Sequence, residues 1–279
     1  MTEGAEPGWL APSSLEEALA QRAEHGDEAT VLAGGTFLGI LLNQGFLSPS
    51  AFLSLGGVPE LRGIEVADGS LRLGAMTTHA AVERSDTVRG GWPVLARAFG
   101  LVASPRVRNQ ATVGGVLADA DYASDPPAVL AALGARVLLR SAQGARTVGI
   151  EELILGYYET CIEPDELLVE VVVPPAPARA VYRKFRSRSS EDRPCVAVAA
   201  TRDGGRVRVV VGAVAEVPQH FPDVCSLADG QPLEPALRDE IARRYAERIE
   251  PMSDPRGSAA YRRRVTAVEV RRALEQVAA

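Results

Sequence analysis

Two glycine pairs, Gly34-Gly35 and Gly114-Gly115, place the strongest constraint on how this chain can fold. The apolar run at residues 29–33 is typical of a buried strand, and residues 38–45 carry leucines at helical spacing, so the first pair lies at a strand-to-helix turn. Glycine lets the backbone come close to a ligand and adopt positive φ, and free amides ahead of a helix attract anions. The second pair, preceded by Thr112, is predicted to form a similar nest. The sequence therefore predicts two loops that hold phosphate oxygens of a dinucleotide.

Neither glycine pair fits the two commonest phosphate-binding motifs. The pattern GxGxxG is absent from both loops, and the chain contains no GxxxxGK[ST]. The Rossmann and P-loop modes of phosphate binding are therefore excluded at the level of the motif. Most single glycine pairs are ordinary tight turns, so the surrounding motifs must support the prediction of a dinucleotide site.

Length and charge limit the possible classes of protein. A chain of 279 residues that is 46% hydrophobic is large enough for two domains. A net charge of -6, without basic runs interleaved with aromatic residues, argues against nucleic acid as a partner. No stretch approaches eighteen consecutive apolar residues and the N-terminus does not resemble a signal peptide, so we expect a cytoplasmic protein without membrane insertion.

The cysteines and histidines do not form a metal-binding pattern. Cys161, Cys195 and Cys225 are far apart in the chain and include no CxxC pair. An iron-sulfur cluster or a structural zinc site therefore cannot be assembled from thiolates of this chain. The three histidines are equally scattered, so we predict no metal site here and expect any metal redox centre to lie on a partner.

Periodicity and turn residues predict an α+β fold. Ser13 and Glu16 form a capping box that predicts the first helix, and Thr78 and Asp125 are further candidate N-caps. Other helices are expected near residues 38–45, 92–99, 126–133, 234–249 and 258–277, and strands near residues 29–33, 53–55, 63–66, 71–73, 135–139, 166–173, 180–186, 196–201 and 207–214. Asp68-Gly69 and Asp203-Gly204-Gly205 predict hairpin turns between neighbouring strands.

The proline-rich segment at residues 174–177 predicts a domain boundary, because neither a helix nor a central strand accommodates it. We therefore expect one domain at residues 1–175 and a second at residues 180–279. In the second, the strands precede the helices, which is typical of a small α+β domain.

Lys184 is the only lysine of the chain, since every other basic residue is arginine. Arginine codons favoured by a GC-rich genome would produce such a bias without any functional cause. The one lysine that remains nevertheless marks a position where a compact ammonium is useful and a planar guanidinium is not equivalent.

Several motifs, in order along nearly the whole chain, resemble those of the flavin subunits of the xanthine dehydrogenase and carbon monoxide dehydrogenase family. The longest is VASPRVRNQATVGG at residues 102–115, followed by ASDPP at 123–127. The others are LAGGT at 32–36, LGAMTTH at 73–79, DELL at 165–168, YRKF at 182–185 and SDPRGSAAYR at 253–262.

This resemblance implies a two-lobed FAD-binding domain of the p-cresol methylhydroxylase (PCMH) type, followed by a small C-terminal domain. It leaves the catalytic residues unidentified, and it suggests that Lys184 is a cation near the flavin or its diphosphate. The residues that it places against FAD are Leu32, Ala33, Gly34, Gly35, Thr36, Phe37, Val102, Thr112, Gly114, Gly115, Asp125, Leu168 and Lys184.

Some positions leave alternatives open. Val116 replaces the asparagine usual in the family, and Phe37 stands where a polar residue is common, so two side-chain hydrogen-bonding groups are lost. Asp125 either caps a helix or contacts the flavin or a ribose. The arginines at residues 104–109 are expected to face solvent or a partner.

Three functions are compatible with these motifs. In the first, the chain is the flavin subunit of a molybdenum hydroxylase, passing electrons between an iron-sulfur small subunit or a molybdopterin large subunit and NAD or another acceptor. In the second, it acts alone as an FAD-dependent oxidase or dehydrogenase of a small organic substrate. In the third, it is a degenerate relative with only a structural role.

Overall fold

The computed structural model describes residues 6–189 and 192–278, so the ends of the two predicted domains, residues 1–5 and 279, lie outside the described residues. The strands are β1 (Gly8–Leu10), β2 (Ala29–Leu32), β3 (Ala51–Ser54), β4 (Ile64–Ala67), β5 (Ser70–Gly74), β6 (Arg136–Arg140), β7 (Ala145–Gly149), β8 (Ile154–Gly156), β9 (Glu159–Thr160), β10 (Leu167–Val173), β11 (Arg179–Phe185), β12 (Val196–Asp203), β13 (Arg206–Gly212) and β14 (Gln219–His220).

The α-helices are interspersed among these strands and confirm the mixed α and β character expected from the sequence. They are α1 (Leu15–His25), α2 (Leu38–Asn43), α3 (His79–Arg84), α4 (Asp86–Gly91), α5 (Pro93–Gly100), α6 (Pro105–Arg108), α7 (Val113–Ala118), α8 (Pro126–Ala132), α9 (Ile150–Leu153), α10 (Pro222–Cys225), α11 (Pro235–Arg248) and α12 (Ala259–Ala278). Within the described ranges, none of the helices is long and apolar enough to cross a membrane.

The strands form three main sheets that divide the chain into three successive parts. The first part, which we call the first lobe, contains the parallel sheet β1-β3-β2. The second lobe contains the antiparallel sheet β4-β5-β10-β6-β7 and the small hairpin β8-β9. The third part contains the antiparallel sheet β11-β12-β13-β14, against which α12 packs.

Two tight hairpins occur where the sequence predicts them. Asp68 and Gly69 join β4 to β5 with φ values of 52° and 74°, and Gly204 and Gly205 join β12 to β13 with φ values of 52° and 82°. A two-residue turn with positive φ at both positions matches the twist of the flanking strands. These turns therefore fix the registers of both hairpins.

The first helix begins one residue later than the capping box at Ser13 and Glu16 predicts. Its N-cap is Ser14, whose Oγ accepts a hydrogen bond of 3.2 Å from the amide of Glu17. The carboxylate of Glu17 in turn accepts a bond of 2.8 Å from the amide of Ser13. Two serines followed by two glutamates satisfy the same pattern in two registers, and the observed register buries Ala18 and Leu19.

The hydrophobic cores connect these parts. A small core under α1 includes Leu53 of the first lobe together with Met76 and Leu167 of the second. A larger core between the five-stranded sheet, α5 and α8 extends to Tyr182 and Ala197 of the third part. Residues from all three parts are thereby brought around one cleft.

Candidate cofactor site

A cleft of about 730 Å³ receives residues from the first lobe, the second lobe and the third part. This volume lies within the range of small-molecule and cofactor pockets. All the predicted FAD-lining residues except Leu32 line it, namely Ala33, Gly34, Gly35, Thr36, Phe37, Val102, Thr112, Gly114, Gly115, Asp125, Leu168 and Lys184. Leu32 lies outside the cleft lining, at the end of β2.

The first glycine pair leaves its backbone amides available to a ligand. Gly35 has a φ of 67°, and a Cβ at Gly34 would overlap the carbonyl oxygen of Gln110. Within the described ranges, the N–H groups of residues 34–38 donate no hydrogen bond, and they lie at the start of α2 in the wall of the cleft. This loop can therefore hold an anionic group such as a diphosphate.

The second glycine pair does not form the anion nest predicted from the sequence. The amide of Gly114 donates to Ala75 O at 2.8 Å, and that of Gly115 donates to Thr112 Oγ1 at 3.1 Å. The amide of Val113 is also used, by Thr77 O at 2.9 Å. A Cβ at Gly114 would lie 2.7 Å from that of Ala75. The pair therefore allows α7 to approach the neighbouring backbone, and its amides are occupied.

His79, to which the sequence assigned no ligand role, anchors this second glycine segment. Its backbone amide donates to Ala111 O at 2.9 Å, and its Nε2 lies 3.1 Å from Thr112 O. Since a carbonyl oxygen only accepts, Nε2 carries the proton, and burial lowers the pKa of His79 to about 4. Nδ1 is then a buried acceptor in a cleft-lining residue, without a partner among the described residues.

Lys184 lies in the cleft wall, but Asp125 neutralises its charge. Its Nζ is 2.9 Å from Asp125 Oδ2 and donates to Leu101 O at 2.9 Å. The hydroxyl of Tyr182 donates to the other carboxylate oxygen at 2.5 Å, and all three side chains are buried. Burial raises the pKa of Asp125, and the ammonium of Lys184 opposes that effect. Because an ammonium has three donors and the described part of the chain accepts from two of them, one proton of Lys184 is available to a ligand.

Asp125 does not cap α8 with its side chain, contrary to one of the two alternatives drawn from the sequence. It precedes that helix, but its carboxylate makes no hydrogen bond to the first turn. Pro127, at the second helical position, has no N–H to donate, and the helical backbone of Asp125 (φ -75°, ψ -48°) differs from the extended conformation of a capping residue. The carboxylate instead pairs with Lys184 across the cleft wall.

Arg108 corrects the expectation that the arginines of residues 104–109 face solvent or a partner. Its guanidinium donates to Val102 O at 3.0 Å and Ala103 O at 3.1 Å, and pairs with Glu83 at 2.9 Å. Arg106 is exposed, as expected. Arg108 therefore fixes the backbone that presents Val102 to the cleft.

An acidic group at the cleft was missed in the sequence, because it lies between the recognised motifs. Asp121 pairs with Arg193 at 2.8 Å, and both line the cleft with Asp119. Burial, followed by the charge of Asp121, raises the pKa of Asp119 to about 7. Asp119 is thus a carboxyl group that changes its charge near neutral pH.

The residues present fit a large cofactor with a diphosphate. Free amides at residues 34–38 match the phosphate oxygens, and the remaining proton of Lys184 and the Nδ1 of His79 match polar groups elsewhere on such a ligand. The fold and site therefore define a class of protein that binds a diphosphate-containing cofactor between two α+β lobes.

Two family descriptions cover the chain. Residues 3–176 match the FAD binding domain in molybdopterin dehydrogenase, and residues 180–277 match the CO dehydrogenase flavoprotein C-terminal domain. The chain belongs to the family of FAD-binding medium subunits of the molybdenum hydroxylases. Its cofactor is FAD, and it is a subunit of an FAD-dependent oxidoreductase.

The relatives match over almost their full lengths. The nicotine 6-hydroxylase medium subunit of Paenarthrobacter nicotinovorans is 31% identical, with 97% of each chain covered. The carbon monoxide dehydrogenase medium chain of Afipia carboxidovorans is 33% identical, with 96% of this chain and 95% of the relative covered. The structure of reconstituted CO dehydrogenase from Oligotropha carboxidovorans superposes with a TM-score of 0.92 at 30% identity, covering 100% of this chain and 99% of the other.

Proposed function

We propose that this chain is the electron-transfer subunit of a molybdenum hydroxylase, in which bound FAD receives electrons from a metal-containing partner and delivers them to an external acceptor. The observation that carries the proposal is the way the polar residues of the cleft are used. His79 and Lys184 donate hydrogen bonds to backbone carbonyls, and the carboxylate of Asp125 accepts hydrogen bonds from Lys184 and Tyr182. Such a site holds a cofactor rigidly and offers few groups for proton transfer with a substrate.

Each part of the cleft has a proposed role toward FAD. The amides of residues 34–38 hold the diphosphate, and the free proton of Lys184 and the Nδ1 of His79 bind polar groups of the cofactor. Val102 and Leu168 form apolar walls. When bound, the flavin supplies the capacity to accept and release one or two electrons, which a subunit between a one-electron and a two-electron partner requires.

We also propose that the domain boundary lies between β10 and β11, with an FAD-binding domain at residues 1–175 and a C-terminal domain at residues 180–279. The ranges of the two family descriptions, which end at residue 176 and begin at residue 180, support this boundary. The C-terminal domain then contributes Lys184 and Arg193 to the cleft.

The partners in this proposal are an iron-sulfur small subunit and a molybdopterin large subunit. Support comes from the relatives, which are named as medium subunits or medium chains of nicotine 6-hydroxylase and carbon monoxide dehydrogenase. The external acceptor is to be identified by testing NAD, quinones and oxygen.

The test is purification of the chain from its native host, followed by anaerobic reduction. We expect two further chains to co-purify, and the complex should show both flavin and iron-sulfur absorption. In the isolated chain, candidate organic substrates should reduce the flavin slowly or not at all. Purification of a lone chain whose flavin is reduced by a small organic substrate would overturn the proposal.

One observation favours the alternative of a stand-alone FAD-dependent dehydrogenase. Asp119 lines the cleft and has a pKa of about 7, which suits a general base. If the isolated chain oxidises a substrate directly, D119N should abolish that reaction and preserve FAD binding. If the chain is an electron-transfer subunit, D119N should leave turnover of the complex within about twofold at pH 6, where Asp119 is protonated.

A further inference from the structure

Phe37 and Tyr158 form an aromatic stack that joins the two lobes at the rim of the cleft. Their ring centroids are 5.6 Å apart and the rings are inclined by only 10°. Phe37 belongs to the first glycine loop and lines the cleft, whereas Tyr158 lies outside it, on the turn between β8 and β9. The stack is therefore a side-chain contact between the cofactor loop and the second lobe.

Tyr158 is held in place by unusual backbone geometry. It has a φ of 57°, and its amide donates at 3.2 Å to the carbonyl of Ala120, which itself has a φ of 44°. Residues with a Cβ rarely adopt this left-handed conformation, and they retain it only where the surrounding structure fixes it, often at ligand sites. Here two such residues are bonded to each other beside the cleft.

A charged group also lies near the hydroxyl end of Tyr158. The guanidinium of Arg193, which pairs with Asp121 at 2.8 Å, interacts electrostatically with the phenol. The ring is therefore constrained at its backbone and on its face. A half-exposed tyrosine without these contacts would sample several rotamers.

We propose that Tyr158 is a positioning residue for FAD: by stacking on Phe37, it orients the diphosphate-binding amides and slows release of the cofactor. The amide of Phe37 is one of those left free at residues 34–38, so fixing its ring also restricts the orientation of the donor. The inference rests on the FAD site proposed for the first glycine loop. It also gives Phe37 a function at a position where the family often has a polar residue.

The experiment measures FAD dissociation from the full chain, by the rise in flavin fluorescence after dilution. Because an aromatic pair contributes beyond simple burial, Y158A should speed dissociation by about 2- to 12-fold. Y158F keeps the ring and should remain within about twofold of the wild type, and Y158L should resemble Y158A. Y157A is the matched control, because the ring of the neighbouring Tyr157 packs edge-to-face with that of Tyr122.

A double-mutant cycle separates this role from general destabilisation. If the two rings act through each other, F37L combined with Y158L should release FAD no faster than the faster single variant. Thermal unfolding of the apo forms shows whether each variant folds. If Y158A does not fold, the comparison of Y158L with Y158F still tests the role of the aromatic ring. Additive effects, or a Y158L rate equal to the wild type, would overturn the proposal. Failure of the wild-type chain to bind FAD would instead reject the underlying site.

Discussion

Asp125 and Lys184 form a buried ion pair, 2.9 Å between Oδ2 and Nζ, that joins the second lobe to β11. Removal of one partner leaves an uncompensated charge in a low-dielectric wall. The ion pair therefore contributes both to the association of these two parts and to the polar lining of the cleft.

Replacing Lys184 with Met should lower the free energy of unfolding by about 3–5 kcal/mol, because the carboxylate of Asp125 then lacks a counter-charge. Urea denaturation of the apo chain measures this change. The double variant D125N/K184M should recover part of the loss. E240Q, which removes an exposed ion-pair partner on α11, is the control and should have little effect. Equal losses for K184M and E240Q would contradict a structural ion pair.

Replacing Gly34 with Ala should abolish FAD binding, since the new methyl group would overlap the carbonyl of Gln110. Gly39 offers a matched control within α2, where a Cβ would meet no atom within 4 Å. G39A should retain FAD and gain roughly 0.5–1 kcal/mol of stability from the helix preference of alanine. Isothermal titration of both apo variants with FAD makes the comparison. Wild-type affinity in G34A would show that the close approach is not required.

His79 should make folding sensitive to acid. Its pKa is about 4 in the folded chain, below the ordinary value of 6.5, so between these values the unfolded chain binds a proton that the folded chain excludes. Stability should therefore fall as the pH is lowered from about 6.5 to 4, by up to about 3 kcal/mol from this residue. Urea denaturation of H79Q across this range should show a shallower pH dependence. H25Q, which changes a histidine outside the cleft, should keep the wild-type slope.

Asp119 should make FAD affinity depend on pH near neutrality. With a pKa of about 7, raised by burial and then by Asp121, it gains a negative charge in the cleft as the pH rises. Because FAD carries a negative diphosphate, affinity should fall roughly threefold to tenfold between pH 6 and 8. D119N should bind equally at both pH values and should unfold less readily at pH 8. D68N, which removes a charge from the β4–β5 turn, should keep the wild-type dependence.

The sequence was sufficient to predict elements whose signals are local. The hairpin turns at Asp68-Gly69 and Gly204-Gly205 and the N-cap at Thr78 are confirmed, because a few neighbouring residues determine their geometry. Of the thirteen residues that the resemblance places against FAD, all but Leu32 line the cleft, and their contact with FAD stays a prediction.

The use of individual polar groups could not be read from the sequence. Whether an amide beside a glycine pair is free depends on contacts such as that between Gly114 and Ala75, which are distant in the chain. Asp125 precedes a helix and so resembled a helix cap. Its true partner, Lys184, lies on another sheet and could not be identified from neighbouring residues. The partner of Phe37 was likewise invisible, since Tyr158 lies in a turn outside the recognised motifs.

The close approach of Gly34 to Gln110 has a mechanical consequence. The backbone of Gly34 lies directly against that of Gln110, without space for a methyl group. Because no side chain separates them, no side-chain rotation can accommodate a movement of one lobe relative to the other. The backbone segments at Gly34 and Gln110, far apart in the chain, are therefore held in a fixed position relative to each other.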